Sequence, residues 1–559
     1  MRLKKIYSRT KVFAISVFIF ISSFIFISSD TEDFEIVKNL DIFYTLFREV
    51  NMFYVDETKP EELIKTAIDE MLESLDPYTT YFPESKIEDF RIMTTGQYGG
   101  VGASIRKTED YIVITELFEG SPSIKAGLKV GDIIIEIDGK NIKGKTPSDI
   151  SEILKGQPKS LVKILLRRPG TEKLIEKNIE RSQINLKSVE YYGMLNKETG
   201  YINLSDFTEN SGKEVKDALV YLKEKQNAKS VIIDLRNNPG GLLIEAVNIV
   251  NLFIKKDETI VSTKGKITKW NKVFKSSSTP YDPDIPIVVL VNRGSASSSE
   301  IVAGAIQDLD RGVIIGQRTF GKGLVQTTVD LCYNSKLKIT TSKYYIPSGR
   351  CIQALDYTHR NSDGSVGKIP DSLITEFKTK NGRKVYDGGG ILPDIITEPE
   401  YLSNISASLL IKNLIFDFAT EYCISLDSVT SPSTFKIDDN DYNKFVAFLE
   451  DKDFDYVTNS EEELNNLIDE AKKEKYFDQS KAELDALKVK LAHDKNKDLK
   501  IFKEEIKSLI NEEIVSRYYY QKGRLISLLS SDKEVDKAIE ILSDKELYNS
   551  ILNGTYKKQ

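Results

Sequence analysis

The stretch from Asn292 to Gln326, NRGSASSSEIVAGAIQDLDRGVIIGQRTFGKGLVQ, constrains this chain more tightly than any other. It opens on a cluster of small residues, Gly294 to Ser299. Apolar residues at helical spacing follow: Ile301, Val302, Ala305, Ile306 and Leu309. A β-branched run from Val313 to Ile315 reads as a short strand, and the stretch closes on Gly321-Lys322-Gly323 with Gln326 four residues past the lysine. The same alternation extends from Val189 to about Pro399. Tyr201 to Leu204, Val231 to Leu235 and Ile285 to Val291 are strand-like, whereas Val215 to Lys223 and Leu242 to Phe253 are helical. Alternation of this kind predicts an α/β layer.

Chemistry can be read from the same stretch. A serine at a helix start stands next to backbone N–H groups that have no partner inside the helix, which suits a nucleophile. A lysine can be its base only when neutral. A free lysine titrates near ~10.4, so burial must lower it by several units. Phe320, Val325 and the flanking glycines provide an apolar setting for Lys322, and Gln326 can hold the amine without adding charge. Asp234-Leu235-Arg236-Asn237-Asn238-Pro239-Gly240-Gly241 joins a strand to a helix whose first N–H groups can form an anion site. Ser297, Lys322 and Gln326, with Gly240 nearby if the sheet is contiguous, form the candidate constellation. Taken singly, each has a plain reading: serines cap helices, most lysines are solvated, and glycines make turns.

Only two histidines occur. His359 lies in a loop-like stretch and His493 in a charged helical one, which disfavours a Ser-His-Asp site. Three cysteines, Cys332, Cys351 and Cys423, are too few for a disulfide scaffold and lack metal-ligand spacing. Cys332 and Cys351 flank an expected hairpin and can pair, although two free thiols is the simpler reading. No metal or cofactor is expected. A net charge of -7 gives no reason to expect nucleic-acid binding.

At 559 residues the chain exceeds a single core, and its composition divides it into five regions. Residues 1–32 carry Arg2, Lys4, Lys5, Arg9 and Lys11 ahead of an apolar-and-serine run from Val12 to Ser29. That order is an export address. The absence of a small-x-small cleavage site favours an uncleaved membrane anchor over a cleaved signal peptide, with the remainder on the periplasmic side of a bacterial inner membrane. Residues 33–92 read as helical, a small cap or dimerisation arm. Residues 93–175 read as a β domain: a glycine loop at Tyr98-Gly99-Gly100-Val101-Gly102, strands at Tyr111 to Thr115, Ile133 to Ile137 and Leu161 to Leu166, and a hairpin turn at Asp138-Gly139. Residues 176–400 hold the α/β core. In residues 401–559 glutamate and lysine rise, glycine almost disappears, and helical patterns dominate. No chemistry is evident in that extension, which reads as a packing or partner-binding arm.

Two resemblances sharpen these expectations. AGLKVGDIIIEIDGK at residues 126–140 resembles a PDZ domain. In that family a loop before the second strand offers N–H groups to a peptide's C-terminal carboxylate, and by position that loop is Tyr98, Gly99, Gly100, Val101 and Gly102. The PDZ-like segment, DLRNNPGG, GSASSSEIVAGAIQD and TFGKGLVQ occur in the order found in carboxyl-terminal processing peptidases, or tail-specific proteases. The resemblance covers residues 35 to 400. It implies an α+β multidomain chain: a helical N-terminal segment, an inserted PDZ domain, an α/β protease core of ClpP or crotonase-like type, and a helical C-terminal extension. It also implies Ser297 as nucleophile, Lys322 as base, Gln326 as its support, and the N–H groups of Ser298 and Gly240 as oxyanion hole. Ser298 stands where the family often has alanine. Arg168, at the end of the last PDZ strand, matches a family position that can gate the catalytic residues, with Arg167 a substitute. The implied substrates are proteins or peptides with free C-termini, and the helical termini are candidate surfaces for a homo-oligomer or an adaptor. The rival readings are a non-catalytic PDZ adaptor on a protease-like fold, and an acyl-CoA enzyme of crotonase-like architecture. The intact Ser297, Lys322 and Gln326 disfavour the first; the PDZ-like segment and export address disfavour the second.

Overall fold

The structure, a computed structural model, describes residues 33–556. The expected N-terminal anchor lies outside the described residues. Among those described, no helix is long and apolar enough to cross a membrane. The chain divides into two compact units, one ending at Tyr81 and the other beginning at Phe82.

In the first unit, residues 33–53 are helical. A second helix, α1 (Pro60–Glu73), starts on a proline with Glu61 and Glu62 in its first turn, where carboxylates complement the helix dipole. Asp76 then closes a tight turn, its carboxylate accepting the N–H groups of Tyr78 at 2.9 Å and Thr79 at 2.8 Å.

The second unit begins its β structure with β1 (Gln97–Gly100). Then come β2 (Ala103–Thr108), β3 (Tyr111–Leu117), β4 (Ile133–Ile137), helix α2 (Pro147–Leu154), β5 (Leu161–Arg167), β6 (Ile175–Glu180) and β7 (Ser182–Asn185). Strands β2 to β6 form one antiparallel sheet in chain order. Strand β1 pairs with β7 instead. Asp138 and Gly139 both have positive φ, as a two-residue hairpin turn requires. Thr146 and Asp149 form a reciprocal cap on α2, which turns Ile150 and Leu154 into a core with Ile112, Ile134, Val162 and Leu166.

The α/β core is built on β8 (Val189–Met194), β9 (Thr199–Leu204), helix α3 (Ser211–Val220), β10 (Ser230–Asp234), helix α4 (Leu243–Val250), β11 (Ile287–Val291), helix α5 (Ser298–Asp308), β12 (Val313–Gly316) and β13 (Ile395–Ile396). The six strands lie in chain order, β8 antiparallel to β9 and the remainder parallel. Strands β9 to β12 are wholly buried, so they read as unbroken apolar runs such as IVVLV, without alternation. One sheet face packs on α3, α4 and α5 through Ile202, Ile233, Val289, Val302 and Ile306.

Beyond the core, α6 (Leu414–Ile424) and the long α7 (Lys503–Leu529) share a second apolar cluster containing Phe418, Phe445 and Ile510. The last two helices, α8 (Lys533–Ser543) and α9 (Lys545–Leu552), leave that cluster and cover the other face of the core sheet. There Val535, Ala538, Ile541 and Tyr548 meet Ile232, Val288, Leu290 and Ile315. The extension is therefore a packing arm for the core at its C-terminal end. The architecture is the expected α+β multidomain one. Cys332, Cys351 and Cys423 are free thiols.

Candidate active site

The turns that follow β10 and β11 meet at the carboxyl ends of the parallel strands, where open α/β sheets place their sites. After β11 the chain tightens at once: Asn292 N–H donates to Ser295 Oγ at 2.9 Å, and Ser295 N–H donates to the Asn292 carbonyl at 2.9 Å. Ser297 then precedes α5 with φ 56° and ψ −113°, a strained conformation for a residue with a Cβ. Three bonds hold it there. Its N–H donates to Glu300 Oε2 at 2.9 Å, and its carbonyl accepts Ile301 N–H at 2.9 Å and the buried Tyr344 hydroxyl at 3.2 Å.

The serines of the cluster differ in what their hydroxyls do. Ser295 donates to the Leu235 carbonyl at 2.7 Å, Ser298 to Gly241 at 2.9 Å and Ser299 to Asn238 at 2.9 Å, and all three residues are buried. Ser297, half-buried, makes no such donation among the described residues. Those three bonds also fasten the 292–299 turn to the Asp234–Gly241 turn, as does Ala296 N–H to the Asn238 carbonyl at 3.0 Å.

Gly240 is where the two turns touch. A Cβ added there would lie 2.6 Å from the Ala296 carbonyl oxygen, 2.8 Å from Ser297 Cβ and 2.9 Å from Ser298 N, and its φ is +96°. Only glycine fits. Its own N–H, however, donates to Asn238 Oδ1 at 2.9 Å. The amide of Ser298, first in α5, and that of Gly241 have no hydrogen-bond partner among the described residues.

Glu300 joins the serine to the lysine. Its wholly buried carboxylate accepts Ser297 N–H at 2.9 Å, Lys322 N–H at 2.8 Å, Gly321 N–H at 2.8 Å and the Thr319 hydroxyl at 2.5 Å. Burial pushes it up to about 7 despite those four donors. One side chain thus locks both main-chain segments of the site. The signal in the sequence is the capping pattern Ser297-x-x-Glu300; its second set of partners lies twenty residues on. Gly321 has φ +88°, and a Cβ there would meet Ala354 Cβ at 2.4 Å. Gly323 N–H donates to Gln353 Oε1 at 2.7 Å, which fixes the far side of the lysine turn. Lys322 itself is half-buried. Gln326 lies at a bulge in the hairpin Leu324–Asp330 with Lys336–Tyr345, and its amide nitrogen donates to Thr340 Oγ1 at 3.0 Å.

The two histidines have partners elsewhere. His359 is exposed and bonded to Asp356, and His493 sits between Glu461 and Asp455 in the helical extension. Of the glycine loop, Tyr98, Gly99 and Gly100 belong to β1 and pair with β7; Val101 and Gly102 follow it, their amides without a partner among the described residues. The Val101 carbonyl accepts both Ser123 N–H and its hydroxyl, which holds that short segment in place. Arg168 is bound inside the PDZ-like domain. Its Nε and Nη2 donate to the two oxygens of buried Asp132 at 2.7 and 2.8 Å, and Nη2 also donates to the Gly127 carbonyl at 2.8 Å. Those hydrogen bonds raise its already high pKa.

Three family profiles match in succession: a PDZ domain at residues 113–168, peptidase family S41 at 198–360, and the C-terminal helical domain of probable PDZ-proteases at 405–542. The carboxy-terminal-processing protease of Bartonella bacilliformis is 38% identical over 326 residues, spanning 57% of this chain and 74% of its own length. A probable CtpA-like serine protease of Staphylococcus aureus is 35% identical over 349 residues, 61% of this chain and 68% of its own. Among solved structures, the photosystem II D1 C-terminal processing protease is 28% identical, covers 64% of this chain and 88% of its own, and gives a TM-score of 0.35. On the Bartonella and Staphylococcus relatives and the S41 profile across the serine and lysine turns, the chain belongs to peptidase family S41, as a PDZ-containing serine endopeptidase of the carboxy-terminal-processing kind.

Proposed function

We propose that this endopeptidase takes the free C-terminus of an exported protein on its PDZ domain and cuts the chain at Ser297, with Lys322 as the base. The observation that carries the reading is the shared carboxylate of Glu300, which holds the main chain of Ser297 and of Lys322 at once. Ser297 Oγ attacks the scissile carbonyl carbon and its proton passes to the Lys322 amine. The oxyanion takes the Ser298 N–H and an N–H from the glycine turn. The Gly241 amide, without a partner among the described residues, gives one, and Gly240 does so once its amide leaves Asn238. The protonated lysine then gives its proton to the leaving amine, and water, deprotonated by Lys322, hydrolyses the acyl-enzyme ester. Gln326 supports the lysine turn from the hairpin. The substrate's terminal carboxylate is received by the amides of Val101 and Gly102, and its last residues add a strand to β2. The basic and apolar N-terminus supports export, with the catalytic unit on the outer side of a bacterial inner membrane.

The test is hydrolysis of an unstructured peptide with an apolar free C-terminus, compared with its amidated form. Ser297→Ala and Lys322→Ala are expected to abolish cleavage while remaining folded, and amidation is expected to slow the wild type by removing a charge-assisted contact. Wild-type activity in Lys322→Ala sinks the lysine base. Equal rates on acid and amide sink recognition of the tail.

A further inference from the structure

The Asp234–Gly241 turn presses on Ser297, yet the charged residue at its start is held from the far end of the chain. Arg236 is half-buried where β10 ends. Its Nε and Nη2 donate to Asp234, the latter at 2.5 Å, and Asp234 also accepts the Tyr201 hydroxyl at 2.7 Å. Two further guanidinium N–H groups reach the start of α8. Nη2 donates to Asp532 Oδ2 at 2.6 Å and Nη1 to Glu534 Oε2 at 2.8 Å. Asp532 is at the same time the N-cap of α8, its Oδ1 accepting the N–H groups of Glu534 and Val535 at 3.0 Å. The second Glu534 oxygen accepts Gln317 Nε2 at 2.5 Å, just after β12, and the Thr397 hydroxyl, just after β13. The start of α8 therefore ties together the carboxyl ends of three core strands. Three carboxylates around one guanidinium leave a surplus of negative charge, and the N-terminus of an eleven-residue helix is a place that tolerates it.

From Arg236 the constraint reaches the nucleophile within a few residues. Asn237, at φ 58°, exchanges hydrogen bonds of 2.9 Å with the Asn292 side chain. Asn238 holds the Leu204 carbonyl at 2.7 Å, and its own carbonyl accepts Ala296 N–H and the Ser299 hydroxyl. Gly240 follows against Ser297 and Ser298. An arginine bound on one side only by Asp234, two residues away, has a local partner that moves with it. The contacts to α8 are the ones that anchor it to a separate element.

We propose that Asp532 and Glu534 are positioning residues for peptide hydrolysis: by fixing Arg236 they hold the 236–241 turn against Ser297, so that α8 is part of the catalytic unit. The inference rests on the Ser297 reading above. The test uses the full chain carrying Asp532→Asn with Glu534→Gln, which keeps side-chain size and removes charge. Steady-state hydrolysis of the same unstructured peptide is measured together with amide hydrogen exchange. The expected result is a kcat at least tenfold lower with KM within twofold, faster exchange at 237–241, and wild-type protection along α8 and α9. Asp536→Asn, on the exposed side of α8, is expected to behave as wild type. Wild-type kcat in the double variant overturns the proposal, as does a lower kcat with unchanged exchange at 237–241. If α8 loses protection in the double variant, Glu534→Gln alone is read on the same criteria, and wild-type kcat there overturns the proposal too. Cleavage by wild type that persists in Ser297→Ala removes the Ser297 reading first, which separates the two failures.

Discussion

At Glu300 a single carboxylate accepts three main-chain amides and a hydroxyl, and only the ionised form can accept all four. A proton on it would face donors. Burial lifts its pKa from 4.5 to about 7, so the folded chain holds a proton between those values that the unfolded chain has released. Its contribution to stability is therefore full below pH 4.5 and is lost as pH rises through about 7. Activity should run the opposite way, since the site needs the carboxylate: kcat is expected to fall as pH drops through about 7. Glu300→Gln cannot accept the same set of donors. It should lower kcat at pH 8 by about ten- to a hundredfold, the equivalent of roughly 1.5–3 kcal/mol for hydrogen bonds to a charged group. It should also flatten the acid limb. A pH–rate profile of the variant checks both, and an unchanged limb would assign it to another group. Arg168 shows the complementary case. Its partner Asp132 is fully buried, so truncating the arginine leaves an unpaired internal charge. The first cost of Arg168→Ala falls on the PDZ domain itself, ahead of any effect on gating.

Elements in this protein earn their place by the face they cover. The parallel strands are apolar on both faces, and α3, α4 and α5 cover only one. Helices α8 and α9 cover the other, so the end of the chain is a layer of the catalytic core. Ile541 is buried there among Ile232, Leu290 and Ile315. Ile541→Ala should destabilise the core by about 2–5 kcal/mol through lost transfer energy and a cavity. The chain's one tryptophan, Trp270, ends a short 3-10 turn at Thr268–Trp270 in the same unit and serves as the reporter. Its fluorescence midpoint in urea should fall in the variant. A midpoint equal to wild type would mean that α8 and α9 do not contribute to core stability.

At the scale of the whole molecule, the PDZ domain is docked on the helical extension by a ring between two guanidinium groups. Phe416 of α6 receives Arg106 of β2 at 4.6 Å from its centroid and Arg517 of α7 at 4.7 Å. Arg106 also pairs with Asp417 at 3.5 Å. Partial burial lowers the pKa of Arg106 and raises that of Asp417, so both charges are costly to strand. Each such ring contact contributes about 0.5–2 kcal/mol. Phe416→Ala removes both and should loosen the PDZ domain from the extension without unfolding either. The expected readout is a larger radius in small-angle scattering and faster tryptic cleavage near Lys173, with tail-peptide affinity retained. Identical scattering and digestion would show that the remaining contacts suffice.

Much of this was legible before any fold was known, because it is local. The 3.6-residue period of α5, the unbroken runs of the buried strands, the Asp138-Gly139 turn and the order of the glycine and serine stretches each depend on neighbours in the chain. They were enough for the domain architecture, and the family resemblance they carried pointed to a PDZ-containing serine peptidase. What stayed hidden depends on distant partners. Four serines in five positions look alike until three of them are seen to spend their hydroxyls on carbonyls of another turn. Glu300 reads as a helix cap, and its hold on Gly321 and Lys322 exists only once the lysine turn folds back. Tyr98 to Gly100 read as loop, but β7, more than eighty residues away, makes them a strand. Gly240 was expected to offer its amide, and a rotamer of Asn238 occupies it. The extension showed no chemistry because Asp532 and Glu534 are ordinary acidic residues at a helix start until Arg236 arrives nearly three hundred positions from them. Periodicity records that a face must be covered and that a charge must be paired. The covering element and the pairing group are chosen by packing, and packing is decided only in three dimensions.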